Sequence, residues 1–287
     1  MSQAVQATSL LLVERLAADL NDKQLELPAF PDSVVRIQQA IQDERKDIDD
    51  VIAIVSSDPA LAARFLQLAN SAAMRTGDAV ITDVRAAVLR LGLKLVSCVA
   101  VSFATRQLER NDGYSPEDRA RLEGIWKDSL DVASICHVLA KRFTRVAADE
   151  ALLTGLLHVL GHLYVFLRAH DEGMELTPEE LDSIAEDWHP AIAKAIAESW
   201  GMSEGLVAAM EQQKDFDTAF RGAVSLTEIL LSAKSIVRSQ LRGESSPCTA
   251  EQCPSLKRVG IVPDEATPVS IDELNDDIDL MRKALAG

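Results

Sequence analysis

Apolar side chains recur every three or four positions along most of the chain, which is the period of an amphipathic helix. One such stripe contains Leu61, Phe65 and Leu68, and the next contains Val84 and Val88. The alternation of apolar and polar residues that is typical of strands is nearly absent, and only 4% of the residues are aromatic. The pattern therefore predicts an all-α fold. The predicted helices span residues 4–20, 33–43, 48–56, 59–70, 83–91, 93–109, 116–142, 149–170, 178–187, 190–200, 204–213, 220–241 and 271–285.

Several predicted helices begin with capping residues. Ser115-Pro-Glu-Asp118, Thr177-Pro-Glu-Glu180 and Ser270-Ile-Asp-Glu273 each place a hydroxyl group three residues before an acid, which is the spacing of a capping box. Asp58 precedes Pro59 at the start of another helix. Proline is favoured at the first helical position because its missing N–H group would have no partner there.

The charge of the chain limits its partners. Forty-five acidic and 29 basic side chains give a net charge of −16, and the sequence pI is about 4.7. Most of the surface should therefore repel nucleic acid and anionic lipid. We also predict no membrane span, and the N-terminus lacks the basic and apolar regions of a signal peptide. These features predict a cytoplasmic protein that binds neither nucleic acid nor membranes.

The segment Gly155-Leu-Leu-His-Val-Leu-Gly-His162 carries the most informative candidate chemistry. Adjacent His and Asp residues on a helix can direct a nitrogen and an oxygen at one divalent metal ion, which then activates water for phosphoester attack. Here the neighbour of His158 is Val159, which cannot bind a metal. His158 and His162 share a helix face, but histidines in an apolar helix are more often core residues than ligands. We therefore predict no metal site.

Three earlier segments carry a family resemblance. Leu27-Pro-Ala-Phe-Pro31, Ile54-Val-Ser-Ser-Asp-Pro-Ala-Leu-Ala-Ala-Arg-Phe-Leu-Gln-Leu-Ala-Asn-Ser71 and Ile81-Thr-Asp-Val-Arg-Ala-Ala-Val-Leu-Arg-Leu-Gly92, followed by the histidine segment above, closely resemble the HDOD domain. HDOD domains occur in bacterial signal-transduction proteins and resemble HD and HD-GYP metal-dependent phosphohydrolases that have lost catalytic residues. The resemblance implies an HD-domain-like, phosphodiesterase-like helical bundle with an N-terminal helical lobe.

The resemblance also defines the expected domains, which a polar turn cluster and a proline-containing segment help to separate. The expected units are an N-terminal helix at 1–26, an HDOD domain at 27–241 with an N-terminal lobe at 27–110 and an HD-like lobe at 115–241, and an irregular connection with a C-terminal helix at 242–287.

Position by position, the resemblance implies an eroded metal site. Asp128 stands where active HD enzymes have an early His, and Val159 replaces the Asp of the His-Asp pair. Lys234 stands near the final acid, where its charge would repel a cation. The other positions that correspond to the site are His158, His162 in place of a lysine common in HD-GYP proteins, the retained later His189, and Gln212 and Gln213 where further histidines are expected.

Asp58, Pro59, Arg64 and Asn70 belong to the family signature. Asp58 is most simply an N-cap, and the amide of Asn70 can satisfy loose backbone groups at a helix end. We therefore predict structural roles for these polar residues. Trp126 is likewise predicted to be a core anchor.

Three functions are compatible with these features. The leading hypothesis is a non-catalytic signal-transduction module that acts through protein–protein interaction and needs no cofactor. Its implied partners are regulatory proteins of bacterial signalling, namely a kinase, a response regulator or a cyclic-dinucleotide enzyme. The alternatives are a residual metal-dependent phosphohydrolase of nucleotides or cyclic dinucleotides, and a small-molecule sensor that uses the old active-site cleft.

Overall fold

The computed structural model describes residues 3–22, 25, 32–43, 45–74, 80–109, 113–241, 253–261 and 274–286. Within these residues the secondary structure is helical and contains no strand, so the predicted all-α fold is confirmed. The helices are α1 (Gln3–Asp22), α2 (Asp32–Gln42), α3 (Ile48–Ser57), α4 (Pro59–Ala69), α5 (Val84–Leu91), α6 (Leu93–Glu109), α7 (Pro116–Phe143), α8 (Ala148–Leu157), α9 (Leu160–Asp171), α10 (Pro178–Ser199), α11 (Glu204–Glu211), α12 (Leu226–Ile236), α13 (Ser255–Arg258) and α14 (Asn275–Ala286).

Capping residues begin several of these helices, as the sequence predicts. Ser115 and Thr177 form complete capping boxes at the starts of α7 and α10. Asp58 caps α4 by accepting hydrogen bonds from the backbone N–H groups of Ala60 and Leu61. The third predicted capping box, at Ser270, lies outside the described residues.

Helix α7 lies at the centre of the bundle. Every residue from 132 to 140 is buried, which is typical of a helix surrounded by other elements. This helix contacts α6, α8, α12 and α14, and α6 also packs on α8. The apolar core is therefore continuous between the N-terminal and HD-like parts of the chain.

The terminal helices pack on the same bundle. Asp19 of α1 accepts hydrogen bonds from Tyr164 at 2.9 Å and from Arg168 at 3.1 Å on α9. Helix α14 lies against α7, where Arg142 pairs with Asp277. Helix α13 packs on α12 and falls within the segment predicted to be irregular. Its four residues are too few to give a periodic signal, so the sequence could not reveal it.

The predicted helix at 149–170 is divided at His158, which is a correction to the sequence analysis. The side chain of His158 donates a hydrogen bond from Nδ1 to the carbonyl oxygen of Gly155 at 2.6 Å. This bond competes for a carbonyl that would otherwise accept from the N–H group of residue 159. Helix α8 therefore ends at Leu157, and α9 begins at Leu160.

A second correction concerns the helices predicted at 178–187 and 190–200, which form one helix, α10, with Pro190 inside it. Proline cannot donate to the carbonyl of Glu186 four residues earlier. The ammonium of Lys214 donates to that carbonyl instead, at 2.9 Å. An external donor thus lets the helix continue through Pro190.

The helix predicted at 220–241 begins only at Leu226, because Gly222 has a φ of 85° and Ser225 forms a capping box. Its last turn, Val237–Leu241, is π-helical. Of the helix predicted at 271–285, residues 271–273 lie outside the described part of the chain.

One stretch, Ala148–Asp171, has the length and apolar composition of a membrane span, which the sequence analysis did not recognise. Two bent helix pairs, one from Ile48 to Ala69 and one from Val84 to Ala104, also pass the same test when each pair is taken together. Of the most apolar window of Ala148–Asp171, 89% is buried inside the protein. Its apolar residues therefore contribute to the core of the bundle.

Candidate functional site

A cleft of about 110 Å³ opens where α7, α9, α10 and α12 meet. The structure brings five of the predicted site residues to its walls. These residues are Asp128, His158, His162, His189 and Lys234. Two residues that the sequence analysis did not name, Glu186 and Arg238, also line the cleft.

His158 makes polar contacts through both of its ring nitrogens. Its Nδ1 atom donates to the carbonyl of Gly155, and its Nε2 atom lies 3.5 Å from the carboxylate of Asp128. Burial lowers the pKa of His158, although Asp128 acts in the opposite direction. The imidazole is therefore neutral at pH 7.

His162 and His189 stack on each other with their ring centroids 3.9 Å apart. The close approach of α9 to α10 makes this possible, because a Cβ atom on Gly161 would lie only 2.1 Å from the carbonyl oxygen of His189. Burial, followed by the electrostatic effects of His162 and Lys234, lowers the pKa of His189. Its Nδ1 atom is buried and has no hydrogen-bond partner among the described residues.

Glu186 connects these histidines to a lysine. Its Oε2 atom lies 3.7 Å from Nε2 of His162 and 3.8 Å from Nε2 of His189, and its Oε1 atom lies 3.0 Å from Nζ of Lys214. The contact with His162 is the main reason why the pKa of Glu186 is lowered. Glu186 precedes His189 by three residues and so shares its helix face, but the incorrectly predicted break at this point concealed the spacing.

Lys234 is only 9% exposed and occupies the α12 side of the cleft. Its ammonium donates to the carbonyl oxygen of Gln213 at 2.9 Å and to the side-chain Oε1 of Gln213 at 3.2 Å. Burial, followed by the charge of Arg238, lowers the pKa of Lys234 to about 8. Gln213 thus binds the ammonium of Lys234. The neighbouring Gln212 accepts a hydrogen bond at its side-chain oxygen from the hydroxyl of Thr227, at 3.3 Å.

Arg238 lies in the π-helical turn that follows α12, with its guanidinium 4.7 Å from the ring centroid of Phe216. It follows Lys234 by four residues, so the helical spacing could have revealed it. Val159 is 6% exposed and lines a separate small void beside Trp126 and Leu156. The residue that replaces the metal-binding Asp is therefore absent from the walls of the cleft.

Three potential ligand atoms, one each from His162, Glu186 and His189, lie within 4.8 Å of one another. Two histidines and a carboxylate are a suitable set for a single zinc ion. A cation there would, however, meet the charges of Lys214 and Lys234. His189 also lacks the second hydrogen bond that usually orients a ligating imidazole.

The arrangement therefore does not fit the ions of an active HD enzyme. Asp128 and His158 already contact each other, the neighbouring carboxylate is replaced by Val159, and Lys234 occupies the α12 side. Chemically, the cleft contains three imidazoles and two carboxylates, of which Glu186 is paired with Lys214, beside a buried ammonium group. Such a set can bind polar or anionic groups more readily than a second cation.

The signature residues lie outside this cleft. Asp58, followed by Pro59, caps α4 and accepts a hydrogen bond from Ser33 at 2.8 Å. The side-chain amide of Asn70 donates hydrogen bonds to the backbone carbonyls of Leu66 and Ile81, and it accepts one from the backbone N–H of Ile81. It therefore joins the end of α4 to the segment that precedes α5. Arg64 is buried in α4 and lines a different cavity.

Comparison with known proteins gives both a family and a set of structures of the same fold. Residues 27–216 match the family model of the HDOD domain. An uncharacterised protein of Treponema pallidum (strain Nichols) is 30% identical over a match of 210 residues, and the match covers 67% of this chain and 38% of that protein. The chain thus corresponds to well under half of that relative's length.

Three solved structures resemble almost the whole chain. A candidate metal-dependent phosphohydrolase from Shewanella amazonensis SB2B has a TM-score of 0.68 and 24% identity, with 97% of this chain and 99% of that chain covered. An HDOD domain protein with unknown function from Geobacter sulfurreducens has a TM-score of 0.59 and 23% identity, with 98% of each chain covered. A candidate signal transduction protein from Marinobacter aquaeolei VT8 has a TM-score of 0.55 and 22% identity, with 98% of this chain and 66% of that chain covered.

At these identities the structural likenesses establish a common helical fold. The family model covers well over half of the chain and includes both the signature helix α4 and most of the cleft. The chain therefore belongs to the HDOD domain family.

Proposed function

We propose that this chain is a non-catalytic, cytoplasmic signalling module whose output is the recognition of other regulatory proteins. The observation that carries the proposal is the buried ammonium of Lys234, which lies in the cleft close to where the family's enzymes have a metal-binding acid. A cation at this position opposes the binding of a metal ion, and the opposition is strongest where water is excluded. Without the metal there is no activated water for phosphoester attack.

Three polar groups of the cleft have structural partners. Asp128 contacts His158, Glu186 contacts Lys214, and Lys234 is bonded to Gln213. These contacts join α7 to the turn between α8 and α9, and they join α10 and α12 to the segment that follows α11. The cleft thus supports a rigid bundle whose outer helix faces are available for docking.

The expected partners are regulatory proteins, such as a kinase, a response regulator or a cyclic-dinucleotide enzyme. Membership of a family that occurs in signalling proteins supports this, as does the naming of one structural neighbour as a candidate signal transduction protein. The net charge of −16 favours a partner with a basic surface.

The proposal is tested by affinity capture from a bacterial lysate at about 50 mM and about 500 mM NaCl, with cross-linking and identification of the captured proteins. An unrelated acidic protein of similar charge serves as the control bait. We expect a regulator or kinase component that the control does not capture, and less of it at high salt. The absence of any such protein in repeated experiments, together with stoichiometric co-purification of a metabolite, would favour the sensor hypothesis instead.

One observation favours the second candidate, a residual metal-dependent phosphohydrolase, namely the proximity of His162, Glu186 and His189. Elemental analysis of the purified wild-type protein and of His162→Gln tests this candidate. His170→Gln is the matched control, because His170 packs against Tyr114 and does not line the cleft. Stoichiometric metal that is lost only in His162→Gln would support the enzyme over the scaffold.

A further inference from the structure

A second cavity, of about 340 Å³, lies where α4, α6 and α7 meet the last turn of α14. Arg64 of α4 and Arg106 of α6 both line it, together with the indole of Trp126 from α7. The side chains of Gln67 and Gln107 add polar groups to the walls. The cavity is lined by none of the residues of the histidine-containing cleft.

Arg64 is a buried charge that has no counterion in the part of the chain that the structure describes. It is 7% exposed, and its Nη1 atom is buried and has no hydrogen-bond partner among the described residues. Burial and then the nearby charge of Arg106 lower its pKa to about 10, and no carboxylate offsets these effects. A buried charge without a partner destabilises the folded protein. We therefore expect Arg64 to bind an anion in the functional state.

Arg106 is the second cation of the cavity. Its guanidinium carbon lies 4.3 Å from the ring centroid of Trp126, and this cation–π contact holds the group at the cavity wall. The chain has 45 acidic residues, yet among the described residues none forms an ion pair with either arginine. The two cations therefore form a local positive site on a strongly acidic protein.

We propose that this cavity, between Arg64 and Arg106, binds a small phosphate monoester. A phosphate group carries nearly two negative charges at pH 7, which matches two guanidinium groups, whereas a single carboxylate would neutralise only one. Guanidinium groups also bind phosphate oxygens through paired N–H donors. The volume of about 340 Å³ is within the range of small-molecule sites, so the phosphate carries an organic group that the amides of Gln67 and Gln107 contact.

Calorimetric titration of the full-length chain tests this proposal. The probes are 5′-AMP, glucose 6-phosphate and phosphoserine, each beside its unphosphorylated parent, with citrate as a carboxylate anion. The variants are Arg64→Met, which keeps the aliphatic volume of a buried side chain, and Arg106→Gln. The control is Arg36→Ala, which removes an equal charge from an exposed position on α2.

We expect at least one monoester to bind the wild-type protein at least about tenfold more tightly than its parent compound, which corresponds to about 1.4 kcal/mol. Both cavity variants should lose this binding, and Arg36→Ala should retain it. The melting temperature of Arg64→Met without ligand should equal or exceed that of the wild type, because an unpaired charge has been removed. The proposal fails if no monoester binds, if citrate alone binds, or if both cavity variants bind as well as the wild type. It also fails if Arg238→Ala, in the other cleft, abolishes the binding.

Discussion

The ammonium of Lys234 donates hydrogen bonds to both the backbone carbonyl and the side-chain oxygen of Gln213, at 2.9 and 3.2 Å. The family resemblance implies that active HD enzymes have a histidine at the position of Gln213 and an acid near the position of Lys234. We propose that a lysine and the glutamine that binds it stand here in place of metal ligands. This replacement is the physical basis for the proposal that the chain is not an enzyme.

The burial of Lys234 predicts a specific dependence of stability on pH. Its pKa in the folded protein is lowered to about 8, whereas a lysine in an unfolded chain titrates near 10.4. Between these values the unfolded state binds more protons, so the contribution of Lys234 to the free energy of unfolding rises with pH by about 1.4 kcal/mol per unit. Urea denaturation of the wild type and of Lys234→Met at pH 7, 8, 9 and 10 measures this contribution of Lys234.

The comparison with Lys234→Met is necessary because the buried thiols act in the opposite direction. Burial raises the pKa values of Cys98 and Cys136, so the unfolded state alone loses their protons above about pH 8.5. This loss lowers the stability of both proteins equally. The difference between wild type and Lys234→Met should therefore shift in favour of the wild type from pH 8 upward, and a constant difference would contradict the burial of a charged Lys234.

The contact between α9 and α10 should not tolerate a side chain at Gly161. A Cβ atom there would lie 2.1 Å from the carbonyl oxygen and 2.5 Å from Cα of His189, and backbone atoms cannot move aside cheaply. Gly161→Ala should lower the free energy of unfolding by about 3 kcal/mol or more. Gly124 in α7 is the matched control, since a Cβ atom there meets nothing within 4 Å, and Gly124→Ala should stabilise the protein by about 0.5–1 kcal/mol. Equal effects in thermal denaturation would refute the contact.

Asn70 is predicted to be structural, and its amide makes hydrogen bonds of 2.9 Å to Leu66 and of 2.7 and 2.8 Å to Ile81. Asn70→Ala leaves these backbone groups without their partner and should cost about 2 kcal/mol. Ser71→Ala is the control, because the hydroxyl of Ser71 is buried, has no partner among the residues that the structure describes, and should change stability little when it is removed. If Asn70→Ala is as stable as the control, the residue has another role.

The fold and much of the cleft follow from the sequence, because they depend on local signals. Helical periodicity predicts the bundle, and cap spacing correctly locates the starts of α7 and α10 at Ser115 and Thr177. The family resemblance identifies positions such as His158 and Lys234, which the structure brings to one cleft. These features need only residue type and spacing.

The remaining features depend on distant contacts. Pro190 suggests a helix break in the sequence. Helix α10 nevertheless continues, because Lys214 from a later segment donates to the carbonyl that Pro190 leaves without a partner, and the continuous helix places Glu186 beside His189. The isolation of Arg64 is similarly invisible in the sequence. Whether an arginine has a counterion depends on which helices surround it, and here α6 contributes a second cation, Arg106.

Restoring the missing carboxylate should not restore a metal site. Val159 is 6% exposed and lines an apolar void beside Trp126 rather than the cleft. Val159→Asp should therefore cost about 3 kcal/mol or more, since an ionised carboxylate is buried without a partner, and should not increase metal affinity. Val159→Ala is the control for the lost packing, and it should lower the free energy of unfolding by about 1–2 kcal/mol. Tight metal binding by a stable Val159→Asp protein would show that position 159 faces the cleft.

Turnover of a cyclic dinucleotide, with manganese, iron or magnesium supplied, shows whether the cleft is catalytic. The wild-type protein and His158→Gln are compared with and without a chelator. We expect no metal-dependent turnover by either protein, and a change only in the thermal stability of His158→Gln, because His158 is buried and bonded to Gly155. Steady turnover by the wild type that is abolished by the chelator and by His158→Gln would instead identify the chain as an active phosphohydrolase.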